Sequence, residues 1–444
     1  MKRFILLMAF LGISVNSHAE LPGSPAWAKN MVMYEVNVRN YTEEGTFKAF
    51  EQHLPRLKAL GVNTLWFMPI QPVGKKKSKG SLGSPYAIQN YAAINPRLGT
   101  MEDFKALVAK AHDMEMKVLI EWVANHTSWD NTLTTSNPEW YVKDNKGNFV
   151  PPKPDWDDVI ELDYAQPGLT EYMQDQILSW INNTNIDGFR FDVAGLVPHK
   201  FWQELKPKMD AIKPVYVFTD GKDVHLMNDS LDLVYDYDFL PVMEDVAHGK
   251  ASASAIQEYL VQESQLYGQH KSRLYFTSGH LANSFAGSVF ERLDKAAEPF
   301  AALTTVLPGI PLIYSGQEAS LNKRLAFFDK DIIEWKTDPM TTVYSQLFQL
   351  KQNPALWSGQ YAGKSQWLST SQEGTLALLR QAKDSDDSVL ALFNFSDRSQ
   401  QLSLSAEQAQ GAYIDVMNYQ QLEIKPSNAL TMPPWSYRIL AATK

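Results

Sequence analysis

Three acidic side chains stand on or at the ends of apolar runs in this sequence. Gly188-Phe189-Arg190-Phe191-Asp192 reads as a strand, and side chains two apart on a strand share a face. Arg190 and Asp192 therefore point one way, and Phe189 and Phe191 the other. An arginine so placed keeps a neighbouring carboxylate ionised, which suits an attacking nucleophile and equally a buried structural ion pair. A second carboxylate, Asp220, closes the run Phe218-Thr219-Asp220-Gly221, and a third, Glu121, precedes Trp122-Val123-Ala124-Asn125-His126. His280, in Gly279-His280-Leu281, and Tyr86, in Gly83-Ser84-Pro85-Tyr86, add hydrogen-bonding groups and flat aromatic faces. Carboxylates with arginine and histidine partners can carry nucleophilic substitution and proton transfer.

The elements that must position these groups alternate along the chain. Candidate strands are 31–38, 63–68, 117–124, 186–192, 215–220, 232–235, 273–278 and 310–315. Helical patterns lie between most of them, at 46–60, 101–114, 169–180, 252–266 and 288–305. Nearly continuous apolar strands with helical crossovers predict a parallel sheet covered by helices. Eight such repeats fit an α/β fold, a (β/α)8 TIM barrel, with catalytic groups at the C-terminal strand ends. About forty residues with little periodicity follow the third strand, and loops of that length are usually functional. They predict an inserted subdomain at 127–166 within a barrel spanning 20–356. Short alternating segments at 366–369, 375–381, 389–394, 401–404, 413–418 and 435–442 predict a C-terminal all-β sandwich at 357–444.

Read at the strand ends, the sequence resembles the α-amylase family, glycoside hydrolase family 13, over essentially all of 20–444. The likeness is to exported bacterial proteins acting on starch and maltooligosaccharides. It rests on Tyr34-Glu35-Val36-Asn37-Val38-Arg39, residues 61–69, Gly83-Ser84-Pro85-Tyr86 and 122–127. It continues in Gly188-Phe189-Arg190-Phe191-Asp192 and Ile313-Tyr314-Ser315-Gly316-Gln317-Glu318. The resemblance implies a retaining mechanism, with a nucleophile and an acid about 5 Å apart on either side of the scissile bond. It makes Asp192 the nucleophile and gives Asp220 the acid's position. It makes Tyr86 a platform under the sugar, and Tyr86, His126, Arg190, His280 and Glu121 substrate-binding residues. Trp122, Trp129 and Trp140 fall near the rim or in the insertion.

The chain departs from that pattern at four places. The family's acid is a glutamate; Asp220 is one methylene shorter, and a misplacement of about 1 Å can cost ~10²-fold. The family reads Asn-His-Asp where this chain reads Gly279-His280-Leu281, and losing one preorganised charge typically costs ~10²–10³ in rate. Glu121 replaces an aspartate, and Leu196 replaces a histidine that ligates calcium in many relatives, where the asparagine matching Asn125 helps bind the same ion. No metal site or cofactor is expected, and calcium is doubtful. The expected function is α-glucan metabolism with impaired or lost hydrolysis. The alternatives are an active hydrolase or transglycosylase with unusual catalytic residues, and a non-catalytic glucan-binding protein.

Bulk properties narrow the partners. The 444 residues carry a net charge of −9, which argues against nucleic acid. The basic run Lys75-Lys76-Lys77-Ser78-Lys79 reads as a solvated loop. No cysteine occurs, so disulfides are excluded. Lys2-Arg3, the apolar run 4–15 and Ser17-His18-Ala19 predict a signal peptide over 1–19 and export to the periplasm or medium. The apolar run is too short to span a membrane.

Overall fold

The computed structural model describes residues 24–267, 272–426 and 429–443. The expected signal peptide lies outside these residues. Ten strands precede residue 320: β1 (Met33–Val36), β2 (Thr64–Phe67), β3 (Lys117–Val123), β4 (His126–Ser128), β5 (Val159–Glu161), β6 (Gly188–Asp192), β7 (Tyr216–Asp220), β8 (Leu233–Tyr235), β9 (Leu274–Tyr275) and β10 (Ile310–Tyr314). Eight of them form one sheet in the order β8-β7-β6-β3-β2-β1-β10-β9, and every pairing is parallel. This is the expected barrel. Among the described residues no ladder joins β8 to β9, and the Arg273 guanidinium bridges that seam by donating to the Val234 carbonyl.

Each strand reads as expected from its burial. β1, β2, β6 and β10 are buried at every position, as strands enclosed on both faces must be. Gly188 opens β6 because nothing larger fits, since a Cβ there would lie 1.8 Å from the Tyr216 carbonyl oxygen. The expected helix 46–60 is broken into Phe47–Glu51 and Leu54–Leu60, with Pro55 in the first turn of the second piece. The helix His199–Ile212, which holds Pro207 in its interior, was not among the expected elements. β4 and β5 pair antiparallel within the insertion and fold it back over the end of β3.

The basic run at 75–79 is not simply solvated. Lys77 lies 3.3 Å over the Trp129 ring, and Lys79 pairs with Asp157 and Asp158. The C-terminal domain holds β11 (Lys364–Leu368), β12 (Thr375–Gln381), β13 (Ser388–Asn394), β14 (Gln400–Leu402), β15 (Gly411–Asp415), β16 (Gln421–Ile424), β17 (Leu430–Met432) and β18 (Ser436–Ala442). Six form an antiparallel sheet, β11-β12-β13-β18-β15-β16, and β14 pairs with β17. Alternation along β13 divides its side chains between two cores. Val389, Ala391 and Phe393 join the barrel's, while Leu390 and Leu392 join the domain's own. Among the described residues no helix is long and apolar enough to cross a membrane.

Candidate active site

Register along the sheet brings the predicted carboxylates together. Glu121 on β3 pairs with Arg190 on β6, and Arg190 pairs with Phe218 on β7, two residues before Asp220. The Arg190 guanidinium is wholly buried and is the hub of the cluster. Its Nη1 donates to Glu121 Oε1 and to Asp192 Oδ1, the latter at 2.6 Å. Its Nη2 lies 2.9 Å from Asp220 Oδ1. That approach is an ion pair outside hydrogen-bond geometry, because Nη2 has no hydrogen-bond acceptor.

Asp220 lines the cavity but has one oxygen held by the protein. Its Oδ1 also accepts from the Val193 backbone N–H at 3.0 Å and from the Thr219 hydroxyl at 3.4 Å. Val193 has a left-handed backbone, φ 42°, which is rare for a β-branched residue. The turn after β6 thereby aims an N–H at Asp220. Asp192 is nearly buried and reaches the cavity. Burial raises its carboxyl to about 6, with Arg190 opposing and Asp220 reinforcing the shift. Burial likewise raises Glu121 to about 7 against the pull of Arg190.

A second cluster faces the first across the barrel. Glu35, at 0% exposure on β1, accepts from the ring Nδ1 of His280, and its Oε2 accepts from the His280 backbone N–H at 3.2 Å. His280 Nε2 lies 2.7 Å from the Tyr86 hydroxyl. Burial lowers the His280 imidazole, but the Glu35 carboxylate outweighs it, so the pKa rises above the ordinary histidine value. Both ring nitrogens are thus engaged within the protein, and His280 does not have the free donor toward a sugar that the sequence suggested. His126 is buried, and burial alone lowers it to about 3, so it is neutral. Its ring meets Trp156 edge-on at 5.5 Å.

These groups surround a cavity of about 470 Å³ lined by Tyr86, His126, Asp192, Asp220 and His280 on its polar side, and by Leu281, Phe285, Phe327 and Phe328 on its apolar side. Tyr86 stacks parallel to Phe327 at 6.0 Å. Two expectations need correction. Glu121 and Arg190 are enclosed and do not line the cavity; they hold the other carboxylates rather than touch a ligand. Trp122 is a core residue at 0% exposure against Tyr91 and Trp180, and the tryptophan lining the cavity is Trp156, which the sequence reading passed over. Glu35 was also passed over as a functional group. The residues that the resemblance associates with calcium do not fit that ion. The Asn125 amide nitrogen lies 3.4 Å from His126 Nδ1, and Leu196 offers no donor atom. No cluster of three or more His, Asp or Glu side chains suited to a metal occurs among the described residues.

Comparison with known proteins agrees with this geometry. The family description "Alpha amylase, catalytic domain" matches residues 35–401. Alpha-amylase 3 of Dictyoglomus thermophilum is 28% identical over 371 residues, covering 72% of this chain and 70% of that protein. The maltogenic alpha-amylase of Bacillus acidopullulyticus is 22% identical over 480 residues, covering 96% of this chain and 79% of that protein. Among solved structures, a noncanonic maltogenic alpha-amylase from Thermotoga neapolitana and an alpha-amylase from Lactobacillus plantarum each superpose with a TM-score of 0.85. Each has 29% identity and covers 94% of this chain and 100% of the other.

Proposed function

Because the chain belongs to the α-amylase family, we propose that it binds α-glucans in the cavity above β6, β7 and β9 and hydrolyses them slowly or not at all. One observation carries the reading: Asp220 Oδ1 is held by Arg190 and the Val193 N–H. Retaining cleavage needs a carboxylic acid that donates a proton to the leaving oxygen as the nucleophile attacks. An oxygen that accepts from an N–H and lies against a guanidinium is placed as an acceptor. With Oδ1 held there, only Oδ2 is left to serve as the acid, on a side chain one methylene shorter than the family's glutamate.

The second deficit lies opposite. Leu281 lines the cavity beside His280, at the position of the third carboxylate in the family pattern. A leucine can neither accept from sugar hydroxyls nor stabilise an oxocarbenium-like charge. Asp192 alone retains its expected setting, with Arg190 2.6 Å away. Binding groups survive better, because Tyr86, His126 and Trp156 still line the cavity and aromatic faces pack well against sugar rings.

An active hydrolase with unusual residues is the competing reading, and Asp192 is what favours it. Two measurements on the mature protein separate the readings. Calorimetry with maltoheptaose should give a saturable binding isotherm, and reducing-end release should match an Asp192→Ala control. Binding without release supports the proposal; release well above the control removes it; absence of binding removes both readings. We place the protein outside the cytoplasm on the strength of residues 1–19. Detection of the unprocessed chain in the cytoplasm only would overturn that placement.

A further inference from the structure

We propose that the cavity is blind on one flank, so that it receives an α-glucan by its chain end and excludes chain interiors and cyclic glucans. The inference rests on the α-glucan reading and adds the part of the polymer recognised. A groove that grips the middle of a chain must be open at both ends. Here one flank of the cavity is closed by three loops bonded to one another.

The loop at 75–82 is the centre of that wall. Lys79 Nζ lies 2.7 Å from Asp157 Oδ1 and 3.1 Å from Asp158 Oδ1, and it donates to the Asp155 carbonyl at 3.0 Å. These contacts fix the loop to the inserted subdomain. On its other side, Ser81 donates through both its N–H and its hydroxyl to Asp329 Oδ1, each at 2.7 Å. The Leu82 N–H donates to the Phe328 carbonyl at 3.0 Å, which ties the loop to the segment after β10. Gly80 makes the close approach feasible. It has φ +60°, and a Cβ there would lie 2.7 Å from Phe328 Cβ. Lys79, Asp155, Asp158 and Phe328 all line the cavity, so the wall faces the ligand space directly.

The remaining lining contrasts with this flank. It contains Val193 and Leu281, and Phe285 there is 58% exposed. Among the described residues no ion pair joins the turn after β6 to the segment carrying Phe285. A terminal glucosyl unit can therefore enter past Phe285 and stop against the wall, with the rest of a linear chain trailing to solvent. A ring of glucosyl units has no end to insert.

The test compares maltoheptaose with β-cyclodextrin, its ring-closed counterpart, by calorimetry and by the fluorescence of Trp156 in the cavity wall. The unaltered protein should bind maltoheptaose at least about tenfold more tightly than β-cyclodextrin. Lys79→Ala and Lys79→Ala/Ser81→Ala, each checked for an unchanged far-ultraviolet circular dichroism spectrum, should narrow that ratio stepwise toward one. Equal affinity for the two glucans in the unaltered protein would overturn the inference while leaving the glucan reading intact. So would a ratio that neither variant moves. Binding of neither glucan would overturn the glucan reading, and this inference with it.

Discussion

Lengthening Asp220 should restore part of the missing acid function. In Asp220→Glu the carboxyl moves outward by about one C–C bond, ~1.5 Å. That exceeds the ~1 Å misplacement that costs about 10²-fold in a positioned catalytic group. If reach is what limits proton donation, the rate on maltoheptaose should rise by about 10², equivalent to about 2.7 kcal/mol of barrier. The gain has a structural price, because the Val193 N–H at 3.0 Å loses its acceptor. That donor is only partly buried, so its loss costs less than the ~1–3 kcal/mol of a fully buried one, and the melting temperature should fall slightly. Adding Leu281→Asp supplies the third carboxylate, worth ~10²–10³ by itself, but the two gains act on one transition state and need not add. The new carboxylate would also join Asp192 and Glu121, which burial already raises, so those two should shift further upward. The assay counts reducing ends from maltoheptaose, with each variant rebuilt on Asp192→Ala as its blank. A double variant that still binds maltoheptaose yet stays at its blank would refute the argument that reach and the third carboxylate limit the reaction.

Three further outcomes follow from the same geometry. A glycosyl fluoride leaves without protonation, so α-maltosyl fluoride should be consumed far faster than maltoheptaose, and Asp192→Ala should abolish the difference; equal rates on the two substrates would show that proton donation is not the obstacle. Asp192 and Glu121 carry folded-state values of about 6 and 7, raised by burial from ordinary values of 3.8 and 4.5. Their contribution to stability is therefore fully present below about pH 4 and is lost as pH rises through 6 and 7, by at most about 1.4 kcal/mol per pH unit for each group. In urea unfolding, Glu121→Gln should flatten that fall; an unchanged slope between the parent and the variant would contradict the shift. Tyr86→Ala should weaken maltoheptaose binding roughly fivefold, from about 1 kcal/mol of lost ring contact, and Tyr86→Phe should weaken it less; the reverse order would place the hydroxyl, not the ring, in contact with sugar.

Much of the architecture was legible because it depends on local pattern. All eight barrel strands fell within the expected runs, since strands buried on both faces must be continuously apolar and must be short. The Arg190–Asp192 pairing followed from the two-residue period of a strand. That same period bore on Trp122, which lies next to inward-facing Glu121 and so faces the helices, away from the cavity. What the sequence hid depends on distant contacts. Glu35 and His280 are 245 residues apart, and nothing near Glu35 marks it as an imidazole partner. Trp156 becomes a cavity residue only when β4 and β5 fold the insertion back over the barrel. The lysines at 75–79 looked solvated because their acidic and aromatic partners, Asp157, Asp158 and Trp129, belong to a different loop. For Asp220 the sequence showed the missing methylene, but not that its Oδ1 is held by Arg190 and Val193, which depends on the backbone of the turn after β6.

The turnover of maltoheptaose by the unaltered protein, measured beside Asp192→Ala under saturating substrate, bears most directly on the account. With Asp220 held against Arg190 and Leu281 in the third position, the two rates should agree within about tenfold, because each deficit alone removes ~10² or more. A turnover in the ordinary enzymatic range of about 1–10³ s⁻¹, abolished in Asp192→Ala, would contradict it.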